Sequence, residues 1–138
     1  MSRELTIIMY HYVRDLSRSR YPQVKGLPLS DFRQQIEYVQ DHYTAISADR
    51  LIEVVTEDAD LPPRAALLTF DDGYVDHYTN VFPLLDAKGL PGCFFPPARC
   101  ILDRDVLDVN KIHHVLASSA SPGEIVGRLF EMMKAWGD

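Results

Sequence analysis

Short apolar runs alternate with amphipathic segments along the first hundred residues. Residues 5–10 and 65–70 are apolar runs of the kind found in strands that parallel sheets bury on both faces. Between them, residues 31–42 place apolar side chains on one face of a predicted helix. That stripe consists of Phe32, Ile36, Val39 and Tyr43. Alternating strands and helices predict an α/β fold with a parallel sheet and right-handed crossovers.

Local signals mark the ends of the other predicted elements. Ser30 is the predicted N-cap of the first helix, and Ser47 or Asp49 that of a second. Residues 14–27 are polar and predict a loop, whereas residues 44–47 and 92–95 predict short strands. A third helix ends near residue 88, with Pro83 in its first turn and a glycine after its end.

The pattern becomes helical after residue 104. Residues 108–116 predict one helix, and Ser121 to Glu124 form a predicted capping box that opens a second, broadly apolar helix. We therefore expect one incomplete domain over residues 1–138, with a βα core over 1–104 and a helical segment over 105–138. A closed (β/α) barrel usually needs about 250 residues, so this chain holds roughly half of one.

Charge and composition exclude some classes of function. The chain has 138 residues, a formal net charge of -6 and 46% hydrophobic residues, as expected for a globular protein. An acidic chain is unsuited to binding the nucleic-acid phosphate backbone. No apolar stretch is long enough for a membrane span, and residues 5–10 are too short for the core of a signal peptide. We expect no nucleic-acid partner and, by default, a cytoplasmic location.

Two adjacent carboxylates, Asp71 and Asp72, follow the second apolar run and precede Gly73. Neighbouring carboxylates repel each other, so partial burial of both requires a cation or a shared proton. The glycine permits a sharp turn that brings both acids to the same end of a strand. One acid could then bind a metal ion while the other transfers a proton. The alternative is an ordinary turn, because Asp-Asp-Gly is also favourable turn chemistry.

Four stretches occur within about residues 5–100. They are Met9-Tyr10-His11-Tyr12-Val13, Leu68-Thr69-Phe70-Asp71-Asp72-Gly73-Tyr74, Val81-Phe82-Pro83-Leu84-Leu85 and Gly92-Cys93-Phe94-Phe95. In sequence and order they resemble the polysaccharide deacetylase family, also called the NodB-homology group or carbohydrate esterase family 4. The resemblance implies a partial, distorted (β/α) barrel of the NodB type, here followed by two C-terminal helices.

The resemblance also implies an activity and roles for the acidic pair. Members of the family remove acetyl groups from N-acetylated sugars or O-acetylated polymers. The resemblance implies that Asp71 is the general base and that Asp72 binds a divalent metal ion, usually zinc. A metal ion makes bound water more acidic and polarises the acetyl carbonyl. His11 and Tyr74 are candidates for contact with the substrate or for support of the site, although each could instead be structural.

The chain departs from the family at the remaining metal ligands. The family takes two ligands from a later His-x-x-x-His motif, which does not occur in this sequence. His113 and His114 are adjacent on a predicted helix, so both cannot easily face one metal ion. Catalytic zinc usually has three protein ligands, and we therefore expect this chain alone to bind metal weakly and to be inactive. His77 is predicted to be a surface residue.

Three hypotheses follow. The leading one is the N-terminal part of a metal-dependent deacetylase that acts on an N-acetylated polysaccharide or glycoconjugate. The second is a non-catalytic module that binds carbohydrate or assembles; half a barrel leaves apolar faces uncovered, so we expect a homo-oligomer formed through its helices. The third is an unrelated α/β hydrolase or phosphatase that uses the paired aspartates.

Overall fold

Strands and helices alternate in the computed structural model, which describes residues 4–137. The strands are β1 (Leu5–Tyr10), β2 (Val13–Arg14), β3 (Leu27–Pro28), β4 (Thr44–Ala45), β5 (Ala65–Asp71) and β6 (Cys93–Phe95). The helices are α1 (Leu29–His42), α2 (Ala48–Thr56), α3 (Phe82–Ala87), α4 (Ala98–Leu102), α5 (Asp108–Ala117) and α6 (Pro122–Trp136). A 3-10 turn spans Leu16–Arg18, and a π-helical turn spans His77–Val81.

Strand β5 is the centre of a four-stranded parallel sheet. Strand β1 pairs along the length of β5, from Leu5 opposite Ala65 to Tyr10 opposite Phe70. Strand β4 pairs with the beginning of β5, whereas β6 pairs with its end. Since β1 occupies one edge of β5, β4 and β6 share the other. The ends of β1, β5 and β6 therefore meet at one end of the sheet, which we call the carboxyl edge.

Helix α1 covers one face of this sheet. Phe32 and Ile36 are fully buried against Tyr10, Leu68 and Phe70 of the two central strands. The rings of Tyr10 and Phe70 stack with centroids 5.2 Å apart, and the Phe32 ring meets that of Tyr10 edge-on at 5.1 Å. Burial of this apolar stripe of α1 confirms its prediction from the sequence and fixes β1 beside β5.

The opposite face of the sheet is only partly covered. Helix α2 contributes Leu51 and Val54 to a smaller cluster around Ala65 and Leu67 near the amino ends of the strands. Farther along β1, Ile7 and Met9 are 60% and 61% exposed. Residues on successive positions of a strand alternate between faces, so these side chains share a face with Asp71. The acidic pair thus lies at the end of an open, apolar face.

Helix α5 packs through a polar side chain and presents apolar ones to solvent. Asn110 is 5% exposed, whereas the apolar Val109, Ile112 and Val115 are each about half exposed. Helix α6 contacts α5 and exposes most of its own apolar side chains. Every helix within residues 4–137 is too short or too polar to cross a lipid bilayer.

The α/β class, the parallel sheet and the two final helices are confirmed, but several local predictions are wrong. Helix α1 begins at Leu29 after Pro28, and Ser30 is not its cap. Ser121 precedes α6 without a side-chain capping hydrogen bond, so the capping box is not formed. Residues 14–27 are not entirely loop, because β2 pairs with β3. Ser47 does cap α2, accepting a hydrogen bond from the backbone N–H of Arg50.

Candidate active site

Asp71 is the last residue of β5, and it lies beside His11, which directly follows β1. The register that places Tyr10 opposite Phe70 brings the next residue of each strand together. The distance between Nε2 of His11 and Oδ2 of Asp71 is 4.0 Å, and the two side chains are 45% and 29% exposed. The carboxylate is thus reachable from solvent and has an imidazole within interaction distance. The predicted site residue His11 lies next to Asp71.

Asp72 and Gly73 form a left-handed turn directly after β5. Their φ angles are +70° and +62°, a region in which a side chain other than glycine is strained. A Cβ atom on Gly73 would lie 2.7 Å from Cβ of Pro96, which follows β6. This close approach requires glycine. The turn keeps both acids at the carboxyl edge, as the sequence predicted, and directs Asp72 toward Tyr74.

The hydroxyl group of Tyr74 donates a hydrogen bond to Oδ2 of Asp72, across 2.5 Å. That length is typical of a hydroxyl bound to a charged carboxylate. Burial raises the pKa of Tyr74 strongly, and the hydrogen bond to Asp72 raises this pKa further, so the phenol stays protonated. Tyr74 also stacks on Tyr12, with ring centroids 4.1 Å apart. Both hydroxyl groups contact the side-chain amide of Asn110 on α5.

His77 is buried, and its prediction as a surface residue is wrong. It is 4% exposed, because the π-helical turn brings its ring inward among Phe70, Tyr74 and Phe94. Its Nε2 lies 2.7 Å from the backbone carbonyl oxygen of His11. A carbonyl oxygen only accepts, so Nε2 carries the proton and donates. This hydrogen bond therefore holds the backbone at the end of β1 next to the acidic pair.

Arg14 and Asp76 form a second, partly buried support for the site. The guanidinium Nη2 of Arg14 lies 2.5 Å from Oδ2 of Asp76, and the two side chains are 18% and 13% exposed. The guanidinium carbon of Arg14 also lies 4.8 Å from the centroid of the Tyr12 ring, a cation–π contact. Tyr12, Asn110 and this ion pair were not predicted from the sequence. The hydrogen bonds that these residues form join positions 36 to 98 residues apart in sequence. The contact of Arg14 with Tyr12 is the local exception.

The described residues do not fit a zinc site. Across residues 4–137, no group of three or more His, Cys, Asp and Glu side chains could hold a metal ion. His113 is exposed, whereas His114 is half-buried and packs against Tyr21, with ring centroids 4.9 Å apart. Neither histidine adds to Asp72 the ligands that a catalytic zinc ion usually has.

The cavities do not coincide with the acidic pair. A depression of about 920 Å³ lies at the amino ends of the strands and is lined by polar and apolar residues such as Tyr38, Arg50 and Asp60. A smaller aromatic pocket of about 240 Å³ begins beside the pair at Gly73 and extends to Phe94. The larger depression thus lies at the opposite end of the sheet from the paired carboxylates and from Tyr74, whose pKa is raised.

Part of the chain matches the model of a known protein family. Residues 58–118, which contain β5, the acidic pair and α5, match the family model described as polysaccharide deacetylase.

Two curated proteins with sequence similarity to this chain are also named as deacetylases. The chain is 34% identical over 91 residues to the poly-beta-1,6-N-acetyl-D-glucosamine N-deacetylase of Escherichia coli (strain K12). This match covers 64% of this chain and 13% of that protein. It is 27% identical over 93 residues to YxkH of Bacillus subtilis (strain 168), a protein assigned to the polysaccharide deacetylases. That match covers 67% of this chain and 31% of YxkH. The chain therefore spans less than a third of the length of either relative.

A solved structure supports the relationship. A de-N-acetylase from Aggregatibacter actinomycetemcomitans superimposes with a TM-score of 0.57 at 26% identity, over 67% of this chain and 37% of that one. The sheet and its crossovers are therefore similar to those of a deacetylase domain, and the similarity covers 37% of that chain.

Proposed function

Because this chain belongs to the polysaccharide deacetylase family, we propose that it is the N-terminal part of an enzyme that removes acetyl groups from an N-acetylated glycan. The observation that carries the proposal is the acidic pair at the end of β5, with Asp71 open to solvent beside His11. The named E. coli relative suggests a polymer of N-acetylglucosamine as the substrate class. Family membership also argues against the hypothesis of an unrelated phosphatase.

In this proposal Asp71 is the general base. Its carboxylate takes a proton from water as the water oxygen bonds to the acetyl carbonyl carbon. The carbon–nitrogen bond then breaks, acetate leaves, and the amine of the sugar receives a proton. A base must reach the water it activates, and the exposed fraction of Asp71 meets this requirement. The resemblance implies that a histidine later in the domain protonates the amine.

Asp72 is proposed as one ligand of a divalent metal ion, zinc, on which the intact enzyme depends. The further ligands of this metal ion would have to come from outside residues 4–137. This chain alone is therefore expected to bind zinc weakly and to lack activity, and Tyr74 and His11 are expected to support the site.

The test is acetate release from chitooligosaccharides by the longest natural polypeptide that contains this chain. Replacing Asp71 with Asn is expected to reduce kcat by about 100-fold or more, because an amide cannot accept the proton. Asp86→Asn on α3, where Asp86 is exposed, is the matched control and should leave kcat unchanged. Undiminished activity in Asp71→Asn would refute the assignment of the base.

The alternative is a non-catalytic module that binds carbohydrate. It is supported by the lack of a three-ligand metal cluster among residues 4–137. Calorimetric titration of this chain with chitooligosaccharides separates the two: binding without acetate release from the longest natural polypeptide would favour the module. The division of the domain at residue 104 stays a prediction under either hypothesis.

Self-association through α6 is also proposed. Its exposed apolar side chains include Leu129 and Phe130, at 54% and 57%. Glu124 lies in its first turn and Lys134 in its last, so an antiparallel pair of α6 helices would place opposite charges together. We expect a dimer by light scattering at micromolar concentration and a monomer for Leu129→Lys. A monomeric wild-type chain would contradict this proposal.

A further inference from the structure

We propose that Asn110 is a positioning residue of the acidic pair, which it reaches through Tyr74; this inference rests on the proposed function for its catalytic meaning. Asn110 comes from α5, outside the βα core, and is 5% exposed. The hydroxyl oxygens of Tyr12 and Tyr74 lie 2.9 Å and 2.7 Å from the amide atom of Asn110 that is assigned as Oδ1. The stacked rings hold these hydroxyls side by side.

The number of protons decides which end of the amide faces the tyrosines. Tyr74 has a single hydroxyl proton, and the carboxylate of Asp72 is a stronger acceptor than an amide oxygen. If that proton goes to Asp72, the Tyr74 oxygen must accept from Asn110. An amide oxygen at 2.7 Å would instead place two acceptors against each other. The amide NH₂ group therefore faces both phenols; oxygen and nitrogen of an amide are assigned from such networks.

The result is a directed chain of hydrogen bonds. The NH₂ group of Asn110 donates to Tyr12 and Tyr74, and Tyr74 donates to Oδ2 of Asp72. Successive hydrogen bonds of this kind polarise and strengthen one another in a low-dielectric surrounding. Asn110 thereby fixes the rotation of the Tyr74 hydroxyl group and, through it, the orientation of the Asp72 carboxylate. These hydrogen bonds account for the burial of a polar residue on α5.

The first test uses NMR on the 138-residue chain and requires no substrate. We expect NOE contacts from the Asn110 NH₂ protons to the rings of both tyrosines, and a slowly exchanging Tyr74 hydroxyl proton that disappears in Tyr74→Phe. In Asn110→Leu, which keeps the side-chain volume, this hydroxyl signal should be lost to faster exchange. The matched control is Asn80→Leu, since the Asn80 amide donates to the Val13 carbonyl at 3.3 Å, and it should retain the signal. An NH₂ group that points away from both rings, or an unchanged signal in Asn110→Leu, would overturn the proposal.

The second test separates this inference from the proposed function. In the longest natural polypeptide with acetate-releasing activity, Asn110→Leu is expected to lower kcat by roughly 10- to 100-fold with little change in KM, the usual effect of losing a residue that orients a catalytic group. Equal losses in Asn110→Leu and Asn80→Leu would mean that only stability has changed, and would refute the positioning role. If neither the wild type nor either variant releases acetate, the proposed function is refuted. The NMR experiment then still shows whether the hydrogen-bond chain from Asn110 to Asp72 exists.

Discussion

The imidazole of His77 donates a hydrogen bond from Nε2 to the backbone carbonyl oxygen of His11, across 2.7 Å. This contact joins the π-helical turn after β5 to the residue that follows β1. The carbonyl fixes the tautomer of His77, and the ring packs against Phe70 and Phe94, which stack on each other. One side chain thereby contributes both packing and a hydrogen bond to the carboxyl edge.

Replacing His77 with Ala should destabilise the fold by about 2–4 kcal/mol, since it leaves a cavity and an unpaired carbonyl. Urea unfolding followed by circular dichroism measures this free energy. His42 is a matched control, because its Nδ1 also lies 2.9 Å from a carbonyl oxygen, that of Tyr38, but in an exposed position. We expect His42→Ala to change the free energy of unfolding by less than about 0.5 kcal/mol. Equal effects at the two positions would contradict the structural role of His77.

Two glycines with the same φ angle separate backbone strain from lack of space. Gly73 and Gly89 both have φ of +62°, but only at Gly73 would a Cβ atom collide with Pro96; at Gly89 nothing lies within 4 Å. Gly89→Ala should cost roughly 1–2 kcal/mol, from left-handed strain alone. Gly73→Ala should cost about 2–5 kcal/mol, because overpacking adds to the strain. Thermal unfolding of both variants tests this, and a smaller loss at Gly73 than at Gly89 would be inconsistent with the close approach.

The ion pair of Arg14 and Asp76 should matter more than an exposed pair. Asp76→Asn leaves a partly buried guanidinium without its charged partner and should cost about 1–3 kcal/mol. In the exposed pair of Arg50 and Glu53, Glu53→Gln should cost less than about 0.5 kcal/mol. Chemical unfolding at low and high salt provides the measurement. A cost for Asp76→Asn no greater than that for Glu53→Gln would show that burial adds nothing.

The loop before α5 should respond to pH through Asp105. A hydrogen bond from the Lys111 ammonium group, and another from the backbone N–H of Val106, lower the pKa of Asp105. A lowered pKa means that the folded state favours the charged carboxylate. Its stabilising effect is therefore present above the ordinary carboxyl pKa and is lost as the pH falls through the lowered one.

We therefore expect amide hydrogen exchange at the start of α5 to be faster in Asp105→Asn than in wild type at pH 7. The two proteins should become alike below the titration of Asp105. Asp58→Asn, in the loop after α2, should leave exchange in α5 unchanged. If the difference in exchange rate between wild type and Asp105→Asn persisted at the lowest pH, the charge of Asp105 could not be its cause.

The sequence was sufficient for those parts of the molecule that depend on local pattern. The apolar run of β5 and the glycine after Asp72 predicted a strand that ends in two acids, because burial and turn formation depend on adjacent residues. The apolar stripe of α1 likewise predicted which face is buried.

Features that depend on distant residues were missed. The sequence predicts His77 at the surface, because the polar residues that follow it give no sign of a π-helical turn. Asn110 was unnoticed among the apolar positions of α5, because its two tyrosine partners are 36 and 98 residues away. Ser30 is a favourable cap residue but lies within α1, which begins at Leu29, and Ser121 precedes α6 without forming the capping hydrogen bond.

The pairing of β1 with β5 has a consequence for synthesis. His11 leaves the ribosome 66 residues before His77, whose ring holds its carbonyl. Until β5 has emerged, β1 has no parallel neighbour among the described strands, and non-local pairing of this kind is slow to form. The nascent strand is therefore a segment that molecular chaperones should engage, and the acidic pair acquires its surroundings only after Asn110 has emerged.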